Sequence, residues 1–156
     1  MANTIKNQAD ILAKLQIKAL NPMQEEAIKV IEQTENTLLL SPTGTGKTLG
    51  FSLPLLQTLN PNSKEVQALI LVPSRELAIQ IEQVIRSMGS GYKVNAVYGG
   101  RPMSKDKIEL KHTPAILIGT PGRIADHFSN NRFSKDHIKT LILDEFDKSL
   151  EVGFEY

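Results

Sequence analysis

Two apolar patterns alternate along the chain. The first is helical. Residues 5–17 place Ile5, Ala9 and Leu12, and Ile11 and Leu15, three or four apart. Asn21 then precedes Pro22, and Gln24 follows Asn21 by three positions. That order predicts an N-cap, a proline at the first helical position and a capping box. Ala27, Ile28 and Ile31 carry the stripe to about Gln33, and Asn36 is the expected stop. Further helices are predicted over Gly46–Thr58, about Arg75–Met88, Ser104–Leu110 and Arg123–Phe128. Pro54 should kink the first of these or end it early. Ser74 is placed to cap the second, and Gly89 and Gly91 to close it.

The second pattern is the short apolar run. Thr37–Ser41, Gln67–Val72, Lys93–Tyr98, Ala115–Ile118 and Thr140–Leu143 read as strands. Gln67–Val72 is apolar without interruption, as a strand buried on both faces requires. Alternation of strand and helix predicts an α/β fold: a mostly parallel sheet with helices on both faces, and Thr37–Ser41 as its central strand. Ligands of such sheets sit at the carboxyl ends of the strands. Each run is followed by a polar cluster: the loop from Ser41, Pro73-Ser74-Arg75, Gly99-Gly100, Thr120-Pro121-Gly122-Arg123, and Asp144–Asp147. The clusters should therefore line one edge of the sheet. Neither a repeat nor a linker interrupts residues 1–156, which read as one domain.

Composition narrows the class. Of 156 residues, 40% are hydrophobic and 22% charged, an ordinary globular balance. Net charge is +1, so a nucleic-acid surface would have to be local. The absence of cysteine excludes disulfides and thiolate metal sites, and His112, His127 and His137 lack ligand spacing. A polar N-terminus and the lack of a long apolar run argue against a signal peptide or a membrane span, so a cytoplasmic location is expected.

The most specific chemistry lies in Ser41-Pro42-Thr43-Gly44-Thr45-Gly46-Lys47-Thr48. An apolar run, a glycine-bearing loop, Gly-Lys-Thr and a helix follow in the order a phosphate-binding loop needs. Glycines let backbone N–H groups turn toward an anion, and the helix adds the positive end of its dipole. Lys47 would charge-pair the β/γ-phosphates, and the Thr48 hydroxyl would ligate Mg²⁺. The strict pattern opens with glycine, where this chain has Ser41. Asp144-Glu145 after the last apolar run supplies a second half. Asp144 would bind Mg²⁺ through water, and Glu145 would orient or deprotonate an attacking water. An acidic pair at a strand end also caps the next helix, so it gains this meaning from the loop upstream.

These motifs, in this order and over about residues 16–154, resemble the first RecA-like domain of DEAD-box RNA helicases. SPTGTGKT looks like motif I, Pro73–Gln80 motif Ia, Gly99-Gly100 the double-glycine motif, Thr120–Arg123 motif Ib, and Asp144–Asp147 (DEFD) the name motif. The resemblance implies ATP and Mg²⁺ as ligands. It implies that Pro73, Ser74, Arg75, Gly99, Gly100, Thr120, Pro121, Gly122 and Arg123 grip the sugar–phosphate backbone of single-stranded RNA. Gln24 matches the glutamine that reads adenine, a task its donor–acceptor amide suits, beside its role in a capping box. Asp147 matches a residue coupling this domain to a second one. Plain helix initiation remains a parallel role for Pro73-Ser74 and Thr120-Pro121-Gly122, and ion pairing for Arg75 and Arg123.

The chain departs from the family at several positions. Gln16 stands where the family has Gly, Ile17 where it has an aromatic, Leu20 for Pro, Asn21 for Ser or Thr, and Phe146 for Ala. The family also continues beyond the region seen here, through a serine–alanine–threonine strand, expected between the phosphate-loop strand and the DEFD strand, and a second RecA-like domain with arginine fingers. Such fingers are worth about three to five powers of ten in rate. The expected parent activity is ATP-dependent RNA unwinding; the 156-residue piece by itself is expected to be nearly inactive, with unpaired backbone in its sheet. Another P-loop NTPase and a non-catalytic RNA- or protein-binding scaffold are the competing readings.

Overall fold

The computed structural model describes residues 4–145 and residue 147, apart from Thr43 and Thr45. Two compact units divide the chain: Met1–Asn60 with Val84–Gly91, and Pro61–Gln83 with Tyr92–Tyr156.

The first unit is helical. α1 (Gln8–Lys14) starts at Asn7, whose side chain accepts from the Asp10 N–H at 2.8 Å, and it buries Ile11 completely. α2 (Pro22–Gln33) begins with the predicted capping box: Asn21 Oδ1 accepts from the Gln24 N–H at 2.8 Å, and Gln24 Oε1 accepts from the Asn21 N–H at 3.0 Å. Ala27 and Ile28 form its buried stripe. α3 (Lys47–Thr58) buries eight consecutive residues, Leu49 to Leu56. It runs through Pro54 and four residues beyond, so the proline does not end it. A proline inside a helix forfeits one backbone bond. Leu53, Leu55 and Leu56, all buried, offset that loss by holding both flanks.

The predicted strand Thr37–Ser41 does not form. These residues carry no strand pairing, and Leu38 and Leu40 are 67% and 79% exposed. An apolar run becomes a strand only when a neighbour takes its N–H and C=O groups. α3 forms regardless, because a helix satisfies its backbone internally.

The second unit holds the sheet. β1 (Ala68–Leu71), β2 (Val94–Val97), β3 (Ile116–Gly119) and β4 (Thr140–Leu143) lie parallel in the order β2-β3-β1-β4. α4 (Arg75–Ser87) begins in this unit and ends in the first; α5 (Met103–Leu110) and α6 (Pro121–Ser129) follow β2 and β3. α6 starts two residues earlier than predicted, because Pro121 at its first position favours the helix and Gly122 tolerates it.

Register places Asn95, Leu117, Leu69 and Leu141 in one row across the sheet, with Val97, Gly119, Leu71 and Leu143 in the next row on the same face. On that face Leu69, Val97 and Leu117 pack with Val66, Leu110 of α5, Ile124 of α6 and Phe133. The other face carries Ala68, Ile70, Ile116 and Ile118, all fully buried, so both sides of the inner strands are covered. β4 differs. It pairs with β1 on one side and with nothing on the other among the described residues, and Leu141 and Leu143 are 57% and 51% exposed.

Candidate nucleotide and nucleic-acid site

The phosphate-loop residues lie in the first unit. Gly46 closes the loop at φ 82° and stands as the N-cap of α3, with no side-chain cap hydrogen bond. The first-turn N–H groups of α3 thus lack the partner a Ser or Asp cap would supply, the arrangement that receives an anion. Gly44 also has positive φ, 82°, and open space where a side chain would project. Lys47 Nζ donates to the Ser41 carbonyl at 3.0 Å, which carries its charge back across the loop. Lys47 and Thr48 are half-buried, whereas Pro42 is exposed. A helix start without a cap, a bent-back ammonium and a neighbouring hydroxyl suit a phosphate with its cation. Thr43 and Thr45 lie outside the described residues.

Gln24 reaches this loop. Its Nε2 donates to the Gly46 carbonyl at 3.2 Å while Oε1 serves the capping box. A Cβ on Gly46 would lie 2.4 Å from that Nε2, so Gly46 is required both for its left-handed φ and for the glutamine's approach. Sequence reasoning named both residues but not the bond between them, which joins positions 22 apart.

Four clusters occupy the second unit. All four strands are parallel, so Pro73-Ser74-Arg75, Gly99-Gly100, Thr120–Arg123 and Asp144-Glu145 follow the carboxyl ends of β1, β2, β3 and β4 at one edge. Ser74 Oγ accepts from the Leu77 N–H at 3.2 Å and caps α4. Arg75 is 59% exposed and pairs with Glu76 at 3.1 Å. The pair, after a hydrogen bond to the Glu76 carboxylate from its own backbone, lowers the Glu76 pKa. Gly100, at φ 85°, brings the double-glycine turn beside Arg75: a Cβ there would be 3.1 Å from Arg75 Nη1. At the start of α6, Thr120 makes no side-chain cap bond, and the space beside Gly122 is open. The Asp144 N–H donates to the Leu71 carbonyl at 3.0 Å, extending the β1–β4 ladder into the acidic cluster. Glu145 has φ 51°, a left-handed conformation that costs a non-glycine residue about 1–3 kcal/mol. Asp147 is exposed, and Phe146 lies outside the described residues.

A sequence profile described as DEAD/DEAH box helicase matches residues 21–156. The chain belongs to the DEAD/DEAH box helicase family. Curated relatives named ATP-dependent RNA helicase CshA, from Limosilactobacillus reuteri and Listeria monocytogenes, are 40% and 42% identical over 135 residues, 85% of this chain and 27% and 26% of theirs. A probable ATP-dependent RNA helicase YfmL from Bacillus subtilis is 41% identical over 129 residues, 81% of this chain and 34% of its own. The crystal structure of a hypothetical ATP-dependent RNA helicase from Sulfolobus tokodaii superposes with a TM-score of 0.82 at 28% identity, over 94% of this chain and 44% of that one. The chain thus spans about a quarter to a third of the length of these curated relatives. The parallel sheet with its helices is the RecA-like architecture of helicase domains.

Within this family framework, one departure gains a structural meaning. Gln16, where the resemblance led to the expectation of glycine, adopts φ 57°. That left-handed backbone is the conformation glycine tolerates best, and the glutamine bears it under strain. No helix among the described residues is long and apolar enough to cross a membrane.

Sequence reasoning missed a charged cluster behind the double-glycine turn and α6. Asp106 of α5 is fully buried and pairs with Arg101, with Arg123 Nη1 at 3.1 Å and with His127 Nε2 at 2.8 Å. Arg101 also pairs with Glu109 at 2.6 Å, and Glu109 accepts from Asn95 Nδ2 at 2.9 Å. Burial alone would lower the pKa of Arg101, but hydrogen bonding to Asp106 and the charges of Glu109 and Asp106 prevail and raise it. Arg132 Nη1 lies 3.1 Å from His127 Nδ1. A guanidinium can only donate, so Nδ1 accepts; Nε2 therefore carries the proton, and His127 donates to Asp106 as a neutral ring. The helical spacing of Asp106 and the run Arg123-Ile124-Ala125-Asp126-His127 gave no sign of this, since its members come from β2, the double-glycine turn, α5, α6 and the turn after α6.

Proposed function

We propose that this chain is the N-terminal nucleotide- and RNA-binding domain of an ATP-dependent RNA helicase. The observation carrying the reading is the delivery of four separate clusters, from residues 73 to 145, to one edge of one parallel sheet. In the first unit Lys47 and the first-turn N–H groups of α3 would bind the triphosphate and Thr48 would ligate Mg²⁺; in the second, Asp144 would bind Mg²⁺ through water. When bound, Mg-ATP would supply a terminal phosphoryl group whose in-line transfer to water, with ADP as the leaving group, needs positioning and charge neutralisation. Glu145 orients that water and takes its proton. Gln24 reads the base with the donor and acceptor capacity left after its bonds to Gly46 and Asn21. Backbone N–H groups at Gly100, Gly122 and the capped start of α4 hold RNA phosphates without reading bases, with Arg75 adding charge. Asp147 couples hydrolysis to a second RecA-like domain in the whole protein. That protein bends and separates short duplexes, while this chain alone turns over ATP negligibly.

Binding of a fluorescent ATP analogue to this chain tests the core of the reading. Mg²⁺-dependent binding that ATP displaces better than GTP, and that Lys47→Ala abolishes, is expected. Displacement by GTP in preference would favour a different P-loop NTPase. RNA-stimulated hydrolysis by this chain at rates typical of complete helicases would overturn its dependence on a second domain. A non-catalytic scaffold is the second reading. The engagement of Gln24 by Gly46 and Asn21 favours it, because that amide has less capacity left for a base. Unchanged function of Lys47→Ala and Glu145→Gln in the whole protein would support the scaffold.

A further inference from the structure

We propose that Asp106 is a positioning residue for RNA binding: one buried carboxylate that sets the spacing between the double-glycine turn and the start of α6. The proposal rests on the RNA-backbone reading above and changes the part Arg123 plays in it. Arg123 is the third residue of α6 and directly follows Gly122; Arg101 directly follows Gly100. Both guanidinium groups turn inward. The Arg101 and Arg123 side chains are 13% and 14% exposed, against 59% for Arg75. Asp106 Oδ1 takes Arg101, and Oδ2 takes both Arg123 and His127. The residue beside each glycine is therefore held by the same side chain.

The wider cluster reinforces the link. Glu109, one turn of α5 further on, takes the other arm of Arg101 and is tied to β2 by Asn95. Arg132 braces His127 through Nδ1 and pairs with Asp126 at 3.4 Å. Met103 Sδ lies 3.8 Å from Arg123 Nη1 and 3.4 Å from Arg132 Nη1. Three arginines face three carboxylates, Asp106, Glu109 and Asp126, with a neutral histidine between them. A charge-balanced, hydrogen-bonded cluster of this kind is costly to bury and rigid once complete. Its members come from β2, the double-glycine turn, α5, α6 and the turn after α6, so it fixes these elements together. Arg123 then acts on RNA through Asp106. The phosphate contacts at α6 come from backbone N–H groups, which Thr120 leaves without a side-chain cap.

The test is the affinity of this chain for a fluorescein-labelled oligouridine, followed by anisotropy across a series of salt concentrations. Simple electrostatics predicts that Asp106→Asn, by removing a negative charge, tightens binding to a polyanion. The proposal predicts the opposite sign: affinity falls about tenfold, equivalent to about 1.4 kcal/mol. The dependence on salt should keep its slope, because no phosphate contact is lost. Arg123→Gln should weaken binding to the same degree with the same slope, the double variant should be no worse than either single one, and Arg123→Lys should restore most of the affinity. Thermal melting locates a temperature at which each variant is folded; if Asp106→Asn is not, Arg101→Gln joins the two Arg123 variants and carries the same outcomes. A slope flattened by about 0.7 in Arg123→Gln would make Arg123 a direct phosphate ligand and overturn the proposal. Tighter or unchanged binding by Asp106→Asn would overturn it as well. Absence of RNA binding by the unaltered chain would instead bring down the RNA-backbone reading itself.

Discussion

Two stretches of this chain share one plan and end differently. Leu38-Leu39-Leu40 leads into a Gly/Thr loop and α3; Ile116-Leu117-Ile118 leads into Gly119-Thr120-Pro121-Gly122 and α6. The second run is a fully buried strand between β2 and β1, while the first carries no strand pairing and exposes two of its three leucines. Both are nevertheless followed by helices whose N-caps make no side-chain hydrogen bond. The lesson is that the helix start, where an anion would be received, is a local property, whereas the strand that should precede it depends on neighbours. The side of β4 that carries no strand partner among the described residues, with Leu141 and Leu143 exposed, tells the same story in the second unit.

The contrast can be broken by mutation. Leu117→Ala removes a fully buried side chain from the face shared by β1, β2 and β3 and should cost about 2–5 kcal/mol in urea unfolding. A loss below 1 kcal/mol would mean that this strand is no better anchored than Thr37–Ser41. Gly119→Ala follows. Its Cβ would lie 2.6 Å from Ile124 and 2.9 Å from the Val97 carbonyl, which cannot retreat. A loss of about 1–3 kcal/mol is expected, with α6 displaced from the sheet. Wild-type stability would show that α6 is not seated by that glycine.

Two substitutions should act in the other direction. Gln16→Gly in the first unit and Glu145→Gly in the second each relieve a left-handed backbone, at φ 57° and φ 51°. Each should raise stability by about 1 kcal/mol. Gln16→Gly should leave ATP-analogue binding intact, whereas Glu145→Gly should also remove hydrolysis from the whole protein. A destabilised Glu145→Gly would show that its side-chain interactions outweigh the strain. The smallest effect belongs to Leu40→Ala, which should change unfolding by no more than about 0.5 kcal/mol, since the side chain is already in solvent. A loss resembling that of Leu117→Ala would place Leu40 in a core and erase the difference between the two stretches.

Much of the site was legible because its parts are local. Asn21-Pro22-Met23-Gln24 specified a capping box, and Gly-Lys-Thr specified a helix opening after a positive-φ glycine. Four apolar runs fell within two residues of the strands observed. Illegible were the bonds that join distant positions. Gln24 to Gly46 spans 22 residues, and Asp106 to Arg123 spans 17. Arg123 in TPGR read as a phosphate ligand or a surface ion-pair residue, and nothing nearby in sequence hints that its partner is a buried carboxylate one helix earlier.

By itself, then, the sequence determined the family, the α/β alternation, the caps and the identity of the polar residues that follow each strand. These depend on spacings of one to four residues, within which backbone geometry leaves few choices. Tertiary structure alone decided which apolar runs became strands, which arginine faces solvent and which a buried aspartate, and which non-glycine residues bear left-handed backbone. Each of those outcomes is set by a partner supplied from elsewhere in the chain, and a hydrogen bond or an ion pair has no existence until that partner arrives.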